Sequence, residues 1–203
     1  ADWNLPDDAV LVGITARIQP HRRFELLWET AKHVVQQEPR VRFVLLGRGN
    51  AVDTEQLVRA PVREMGLEAN VLLPGYLYEP DYSRALRTLD AFMFLVPGSD
   101  GTCRAVREAM AFGLPVVTTP RGILPELIQG DGAPTSAAGT IAEETAEAMG
   151  GEILDWVRDP ERRRQLGEQA GRRAREEMDP VRAAERLADF YRTLMAMPPR
   201  WRP

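Results

Sequence analysis

This sequence has few of the features that place a protein in a membrane or outside the cell. Its 203 residues contain no apolar run near the roughly 18–20 residues that span a bilayer. Residues 1–8 carry neither the basic region nor the apolar region of a secretory signal peptide. The single cysteine, Cys103, cannot form an internal disulfide, which fits a reducing compartment. We therefore expect a cytoplasmic protein, with at most a peripheral association with the cytoplasmic membrane face.

Lysine is also nearly absent, and the overall charge is slightly acidic. The formal net charge is -4, and Lys32 is the only lysine among 26 basic residues. A nucleic-acid-binding domain normally carries a basic patch and a basic isoelectric point, so nucleic acid is not an expected partner. We expect codon usage to account for most of the arginine excess. Because the planar arginine fork suits phosphate and carboxylate, any anion is expected to be bound locally.

Short apolar runs alternate with amphipathic segments over residues 9–142. The runs that suit buried strands lie at 9–15, 41–46, 71–73, 91–96 and 115–118, with a weaker sixth at 139–142. Helical periodicity occupies 24–37, 54–65 (with an interruption near Pro61), 82–89 and 104–112. This alternation predicts an α/β fold: a doubly wound, Rossmann-like parallel sheet of five to six strands with helices on both faces.

The remainder of the chain, residues 143–203, has a helical pattern. It is punctuated at Gly150–Gly151, Asp159–Pro160 and Asp179–Pro180, and proline after aspartate is typical of a helix start. We expect a leader at 1–8, an α/β domain at 9–142, and a helical C-terminal segment at 143–203 packed on the same domain.

In an open parallel sheet, ligands bind beyond the carboxyl ends of the strands, so the loops there are the candidate sites. The loop after the first strand carries Arg17 and Arg22, which could clamp a diphosphate through charge-assisted hydrogen bonds, or form a solvated basic loop. The loop after the second strand carries Gly47 and Gly49. It lacks the third glycine of a dinucleotide fingerprint, so it favours a tight turn or a close backbone approach to a ligand.

The loop from Pro97 into the 104–112 helix carries the most information. Backbone N–H groups near Gly101 to Cys103 can face an anion at the start of this helix. Asp100 precedes the helix, and Glu108 lies on the same helical face as Arg104. Such carboxylates accept hydrogen bonds from sugar or ribose hydroxyls. The alternative makes Asp100 an N-cap and Glu108 an exposed or ion-paired helix residue.

These three loops, in this order, resemble the C-terminal, donor-binding domain of a retaining GT-B glycosyltransferase of family 4. Residues 108–117 match the family pattern Glu-Ala-Met-Ala-x-Gly-x-Pro-Val-Val. Gly122 and Glu126 resemble the Gly-x-x-Glu element that follows, although three residues separate them here instead of two. The resemblance runs from about residue 5 to residue 194. The sequence departs from the pattern at four positions. Aspartate replaces the first glutamate, at Asp100; arginine replaces lysine, at Arg22; and Arg23 and Ala16 stand where the pattern has glycine.

The resemblance implies a role for each matching residue in binding a nucleotide sugar. Arg17 and Arg22 would stabilise the diphosphate leaving group, Asp100 would contact hydroxyls of the donor sugar, and Glu108 would hold the ribose. The catalytic residues would thus be Arg17, Arg22 and Asp100. The other donor-binding positions implied are Gly13, Gly47, Gly49, Tyr76, Leu77, Gly101, Thr102, Cys103 and Arg104, with Tyr76 and Leu77 near the base.

The resemblance also implies an activity. The activity implied is transfer of a hexosyl group from a GDP-, UDP- or ADP-sugar to an acceptor held by an N-terminal GT-B domain. The transfer would retain the anomeric configuration and would use no metal or other cofactor. A domain of this kind would have little activity alone. Two alternatives stay open at this point: a nucleotide-sugar epimerase of the same architecture, and a non-catalytic nucleotide-binding module.

Overall fold

A computed structural model describes residue 3 and residues 5–97, 101–129 and 137–197. In these residues six strands form a single parallel sheet in the order β3-β2-β1-β4-β5-β6. The strands are β1 Val10–Thr15, β2 Val41–Leu46, β3 Val71–Gly75, β4 Ala91–Phe94, β5 Val116–Thr118 and β6 Gly139–Ile141. The predicted doubly wound parallel sheet is confirmed, including its sixth strand.

The strand order reverses at the centre of the sheet. β1 pairs with β2 on one side, where Val10 is opposite Val41, and with β4 on the other, where Gly13 is opposite Phe92. The connections that leave β1 and β4 therefore diverge to opposite faces of the sheet. This divergence opens a crevice beyond the carboxyl ends of these two strands.

The helices connect the strands and extend the C-terminal part of the chain. Their bounds are α1 Phe24–Gln37, α2 Ala51–Thr54, α3 Ala60–Glu64, α4 Asp81–Thr88, α5 Arg104–Ala111, α6 Leu124–Gln129, α7 Ala146–Arg158, α8 Pro160–Glu177 and α9 Pro180–Ala196. A 3-10 turn, Pro20–Arg22, precedes α1, and a π-helical turn, Glu55–Arg59, joins α2 to α3. The Asp159–Pro160 and Asp179–Pro180 starts are confirmed, because each aspartate side chain accepts the amide three residues on.

Two sequence-based expectations about the helices are wrong. The helix after β2 begins at Ala51 rather than at residue 54. The predicted interruption near Pro61 is present as the π-helical turn Glu55–Arg59, which ends two residues before the proline. Helix α7 runs through Gly150–Gly151, where the sequence predicts a break. A β-carbon on Gly150 would lie 2.7 Å from Cδ2 of His33, so this glycine allows α7 to pack closely on α1.

The sheet divides the core into two layers because successive strand residues point to opposite faces. One layer packs Phe43 and Met93 against α1 and α7, with Trp28 and Trp156 fully buried. The other layer contains Phe92 and the buried residues of α4, α5, α6 and α8. Both faces of the sheet are therefore covered by helices, as the near-continuous apolar strands require.

The C-terminal helices differ from one another in burial. Helix α7 packs on α1, and α8 packs on α5. Helix α9 has no buried residue, and its exposed apolar side chains include Val181, Leu187 and Phe190. No helix in the described ranges combines the length and the apolar character that crossing a bilayer requires.

Candidate functional site

The first wall of the crevice is the loop between β1 and α1. Arg17 is exposed in this loop, and it makes no ion pair with any residue that the structure describes. Arg22 ends the 3-10 turn, and its Nη1 donates to the carbonyl oxygen of Val96 at 3.0 Å. Because Val96 lies just beyond β4, Arg22 joins the exits of the two central strands. The structure thus places both predicted phosphate-binding arginines on the loop that leaves β1 at the crevice.

Arg23 occupies a position where the family pattern has glycine, and its backbone conformation explains the family's preference for glycine. Its φ of 58° lies in the left-handed region, which glycine adopts at no steric cost. The Arg23 guanidinium compensates by binding the carboxylates of Glu25 and Glu144. Hydrogen bonding to Glu25 raises the pKa of Arg23 above its ordinary value, although burial opposes this effect. The loop therefore keeps the glycine-like conformation with a different side chain.

Glu144 connects three loops at this edge of the sheet. It binds Arg121, from the loop after β5, and Arg23, from the loop after β1. The hydrogen bond from Arg121, supported by Arg23, holds the pKa of the Glu144 carboxyl below its ordinary value. Sequence reasoning missed this cluster, because its members are separated by up to 121 residues and carry no local motif.

The predicted glycine positions serve loop packing in this structure. A β-carbon on Gly47 would lie 1.8 Å from the carbonyl oxygen of Ala16, and one on Gly49 would lie 2.7 Å from the β-carbon of Ile18. The amide of Ile18 donates to the carbonyl of Arg48 at 3.0 Å. Glycine is therefore needed for the loop after β2 to lie against the loop after β1.

Gly13, within β1, has a comparable role on one face of the sheet. A β-carbon there would lie 2.1 Å from Cδ1 of Leu89. This contact explains the glycine by packing of the chain against itself.

Aromatic side chains follow β3 at the same edge of the sheet. The guanidinium carbon of Arg48 lies 4.7 Å from the centre of the Tyr76 ring, and Tyr76 meets Tyr78 edge to face at 4.9 Å. Both rings are at least half exposed, whereas Leu77 packs partly into the core. An exposed ring backed by a cation offers a surface on which a planar group can stack.

The second wall of the crevice is the start of α5. Gly101 and Cys103 both have left-handed backbone, with φ values of 64° and 50°. Cys103 is buried, so it packs as a small apolar side chain. Arg107 Nε donates back to the carbonyl of Thr102 at 2.9 Å, which stabilises the turn. Asp100, the remaining predicted catalytic residue, lies outside the described residues.

Glu108 projects from α5 and is bound from two sides. Its Oε2 accepts a hydrogen bond of 2.8 Å from the Tyr82 hydroxyl, and its Oε1 lies 3.3 Å from Nε of Arg104. The Tyr82 oxygen lies 3.4 Å from Oγ1 of Thr15, the last residue of β1. Burial, together with the charge of Glu108, raises the pKa of Tyr82 well above its ordinary value. The phenol therefore stays protonated and can donate to the carboxylate.

Tyr82 and Thr15 are site residues that the sequence analysis missed. Tyr82 is on α4, 26 residues before Glu108, and no motif near it in the sequence indicates a binding residue. The only available signal was that Thr15 ends the first strand, where ligand-binding groups collect. A metal centre is not evident among the described residues, which contain no group of three or more histidine, cysteine, aspartate or glutamate side chains that could hold an ion.

The sheet order and the polar groups around the crevice define a Rossmann-like α/β domain with its candidate site at the topological switch point. The family Glycosyl transferases group 1 matches residues 1–173, and the chain belongs to this family.

Relatives and solved structures agree with this assignment. The poly(ribitol-phosphate) alpha-N-acetylglucosaminyltransferase of Staphylococcus aureus (strain COL) is 32% identical over 109 residues, which are 53% of this chain and 20% of that protein. The crystal structure of Anabaena Alr3699/HepE in complex with UDP and glucose superimposes with a TM-score of 0.76 at 19% identity, over 92% of this chain and 49% of that chain.

A solved single domain matches at nearly its full length. It is the C-terminal domain of the glycosyl transferase group 1 family protein LpcC from Francisella tularensis, with a TM-score of 0.74 at 19% identity, over 88% of this chain and 90% of that chain. By contrast, the chain spans between 20% and 35% of the length of the curated relatives it matches.

Proposed function

We propose that this chain is the sugar-donor-binding domain of a retaining glycosyltransferase and that its crevice holds a nucleotide sugar. The observation that carries the proposal is the Glu108 carboxylate, held by Tyr82 and Arg104 beside the carboxyl ends of the central strands. A carboxylate fixed there can accept hydrogen bonds from both hydroxyls of a ribose. Glycosyltransferase family membership supports the same conclusion.

The proposed mechanism is electrostatic. Cleavage of the anomeric C–O bond leaves a nucleoside diphosphate, whose new negative charge the guanidinium groups of Arg17 and Arg22 stabilise. Arg22 is already oriented by its hydrogen bond to Val96, so part of the ordering cost is met before the donor binds. Asp100 would contact the sugar hydroxyls, as the family pattern implies. The proposed transfer uses no metal or other cofactor, and it retains the anomeric configuration.

The proposed substrate is a UDP-, GDP- or ADP-sugar. The HepE structure contains UDP and glucose, which supports UDP as the first nucleotide to test. The base would lie near the Arg48–Tyr76 pair, where an exposed ring is available for stacking. Backbone groups of Gly101, Thr102 and Cys103 would meet the sugar or the phosphates at the start of α5.

The acceptor would be held by an N-terminal GT-B domain. The chain covers 49% of HepE and most of a solved C-terminal domain, which supports the assignment of one half of a two-domain enzyme. In this proposal, residues 1–8 form the interdomain leader, 9–142 the nucleotide-sugar-binding domain and 143–203 the helical segment packed on it. The proposed location is the cytoplasm, with at most a peripheral membrane association of the full-length enzyme.

A binding panel tests the proposal directly. Thermal unfolding of the chain is measured with UDP, GDP, ADP and their sugar conjugates, and one nucleotide series is expected to raise the Tm through binding to the folded state. Calorimetry then compares the wild type with Arg17→Ala, which should weaken the preferred nucleoside diphosphate by about 1.5–3 kcal/mol through loss of a charge-assisted hydrogen bond. Arg59→Ala is the control, because Arg59 is exposed and is not among the residues proposed to bind the donor. Absence of stabilisation by every nucleotide would contradict the proposal.

A further inference from the structure

A second groove lies at the opposite edge of the sheet from the crevice. It has a volume of about 820 Å³, and its floor includes Phe112 and Pro115. Asp90, which immediately precedes β4, and Pro115, which immediately precedes β5, both line it. The groove, called here the α8 groove, is therefore formed at the amino-terminal ends of these strands and covered on one side by α8.

Helix α8 packs closely against the loop before β5 because a glycine of the helix faces that loop. A β-carbon on Gly167 would lie 2.2 Å from the carbonyl oxygen of Gly113. One turn further, Nη1 of Arg175 lies 3.3 Å from the place that a β-carbon on Gly171 would occupy. The glycines therefore let the backbones approach, and the Arg175 guanidinium folds over the space that a larger side chain would fill.

The arginines of α8 divide into two groups. Of the six on this helix, Arg162, Arg163, Arg164 and Arg173 each pair with a carboxylate. Arg172 and Arg175, which both line the α8 groove, make no ion pair with any described residue. Their charge is therefore available for a ligand, although the acidic Glu176 directly follows Arg175 in the sequence.

The acids of the groove do not neutralise these arginines. Asp90 binds Arg163 at 3.2 Å and also accepts the amide of Leu11, whereas Glu168 binds Arg164. Arg87 adds a third uncommitted cation from α4, stacked 5.6 Å from the centre of the Phe112 ring. A chain with a net charge of -4 thus concentrates three uncompensated guanidinium groups in one concave surface.

We propose that the α8 groove binds a phosphate-bearing anion. Arginine forks match phosphate oxygens through paired, charge-assisted hydrogen bonds, and groups from α4 and α8 approach one space from two sides. The apolar floor at Phe112 and Pro115 suits a ligand with an apolar part next to its phosphate. Such a phosphate can belong to a soluble molecule or to an anionic lipid headgroup. Because the groove and the crevice occupy opposite edges of the sheet, both can be filled together.

The test removes the two uncommitted arginines of α8 and compares two probes. Inorganic pyrophosphate is titrated by calorimetry into the wild type, Arg172→Gln/Arg175→Gln, and the control Arg59→Gln/Arg162→Gln, which loses the same charge outside the groove. The groove variant should bind pyrophosphate at least about tenfold more weakly, and the control less than about twofold. All four side chains are exposed, so each variant should fold.

Vesicles identify the source of the phosphate. Cosedimentation with phosphatidylglycerol vesicles, lost in the groove variant and absent with phosphatidylcholine, would assign a lipid headgroup. Pyrophosphate binding without vesicle binding would assign a soluble ligand. Equal losses in both double variants, or no binding of either probe by the wild type, would overturn the proposal. Pyrophosphate binding that Arg17→Ala abolishes and the groove variant leaves intact would also overturn it, because that binding belongs to the crevice.

Discussion

Glu108 is held in place by two side chains of the protein itself. Tyr82 donates to one carboxylate oxygen and Arg104 lies beside the other. Each oxygen retains a lone pair for a further hydrogen bond, because a carboxylate oxygen accepts about two. The role of Tyr82 is therefore to position Glu108 through one hydrogen bond.

Removing that hydrogen bond should weaken binding of ribose nucleotides while sparing their deoxyribose analogues. Tyr82→Phe deletes only the hydroxyl, so we expect the preferred nucleoside diphosphate to bind about three- to tenfold more weakly, in line with the net value of one hydrogen bond. Glu108→Gln should show the same selectivity with a larger effect. Calorimetry with the ribose and deoxyribose forms measures the difference.

Tyr191→Phe provides the matched control, since Tyr191 is exposed on α9 and is not among the residues proposed to bind the donor. If Tyr82→Phe weakened binding of the ribose and deoxyribose forms equally, Tyr82 would be acting on the fold and not by positioning Glu108.

At the scale of the element, a contact from another helix supports the π-helical turn that precedes Pro61 in the segment after β2. Pro61 has no amide hydrogen, so the carbonyl of Leu57 lacks its usual partner four residues on. The indole Nε1 of Trp28, on α1, donates to that carbonyl at 2.7 Å. The tertiary contact thus supplies a donor to this carbonyl, which lies in the π-helical turn, and α3 continues to Glu64.

Trp28→Phe should expose this dependence. The variant loses the donor to Leu57 and part of a fully buried side chain, so the free energy of unfolding should fall by about 2–4 kcal/mol. Pro61→Ala in the Trp28→Phe background should recover part of the loss, because a backbone amide at position 61 can reach the Leu57 carbonyl. Urea unfolding of the four proteins in this double-mutant cycle measures the coupling. Strict additivity would contradict the proposed exchange of partners.

Two helical glycines should respond to alanine in opposite directions. Nothing lies within 4 Å of a β-carbon on Gly151, so Gly151→Ala should stabilise the protein by about 0.5–1 kcal/mol through helix propensity. Gly167→Ala places its methyl group against the Gly113 backbone and should destabilise by about 1–3 kcal/mol. Thermal and urea unfolding measure both, and a stabilising Gly167→Ala would show that α8 is free to move outward.

At the scale of the whole molecule, the parallel sheet has two chemically different edges. The carboxyl ends of β1 and β4 carry the crevice with Glu108, and the amino ends of β4 and β5 carry the α8 groove. Glu144 ties together the loops after β1, β5 and β6 at the crevice edge. Because Glu144 is titratable and its pKa is lowered, we expect the stability of these loops to depend on pH.

The sign of this linkage follows from the lowered pKa of Glu144. A carboxylate whose pKa is lowered on folding contributes stability above its ordinary value of 4.5, and it loses that contribution as the pH falls through the folded-state pKa. Glu144→Gln should therefore reduce the Tm at pH 7, and the difference from wild type should shrink as the pH is lowered below 4.5. Because the cluster is partly exposed, the effect should be small and weakened by salt.

Glu176→Gln, an exposed residue of α8, is the control for this pH series. A difference between wild type and Glu144→Gln that stays constant with pH would mean that the glutamate acts by packing and not by charge.

Local patterns were sufficient for most of the elements. Apolar runs identified all six strands, and the Asp-Pro pairs identified the starts of α8 and α9, because a capping side chain acts within three residues of its own position. The break predicted at Gly150–Gly151 was wrong because glycine there serves a contact with His33 on another helix. Periodicity describes one segment at a time and carries no information about such neighbours.

The sequence by itself determined the alternation of strands and helices, the Glu108 motif and the basic loop with Arg17 and Arg22, since each depends on residues close together in the chain. Only the tertiary structure decided that Tyr82 binds Glu108, that Trp28 satisfies Leu57, and that Arg87, Arg172 and Arg175 share one groove. The physical reason is that these contacts join residues from different elements, and their distances depend on how the helices pack on the two faces of the sheet.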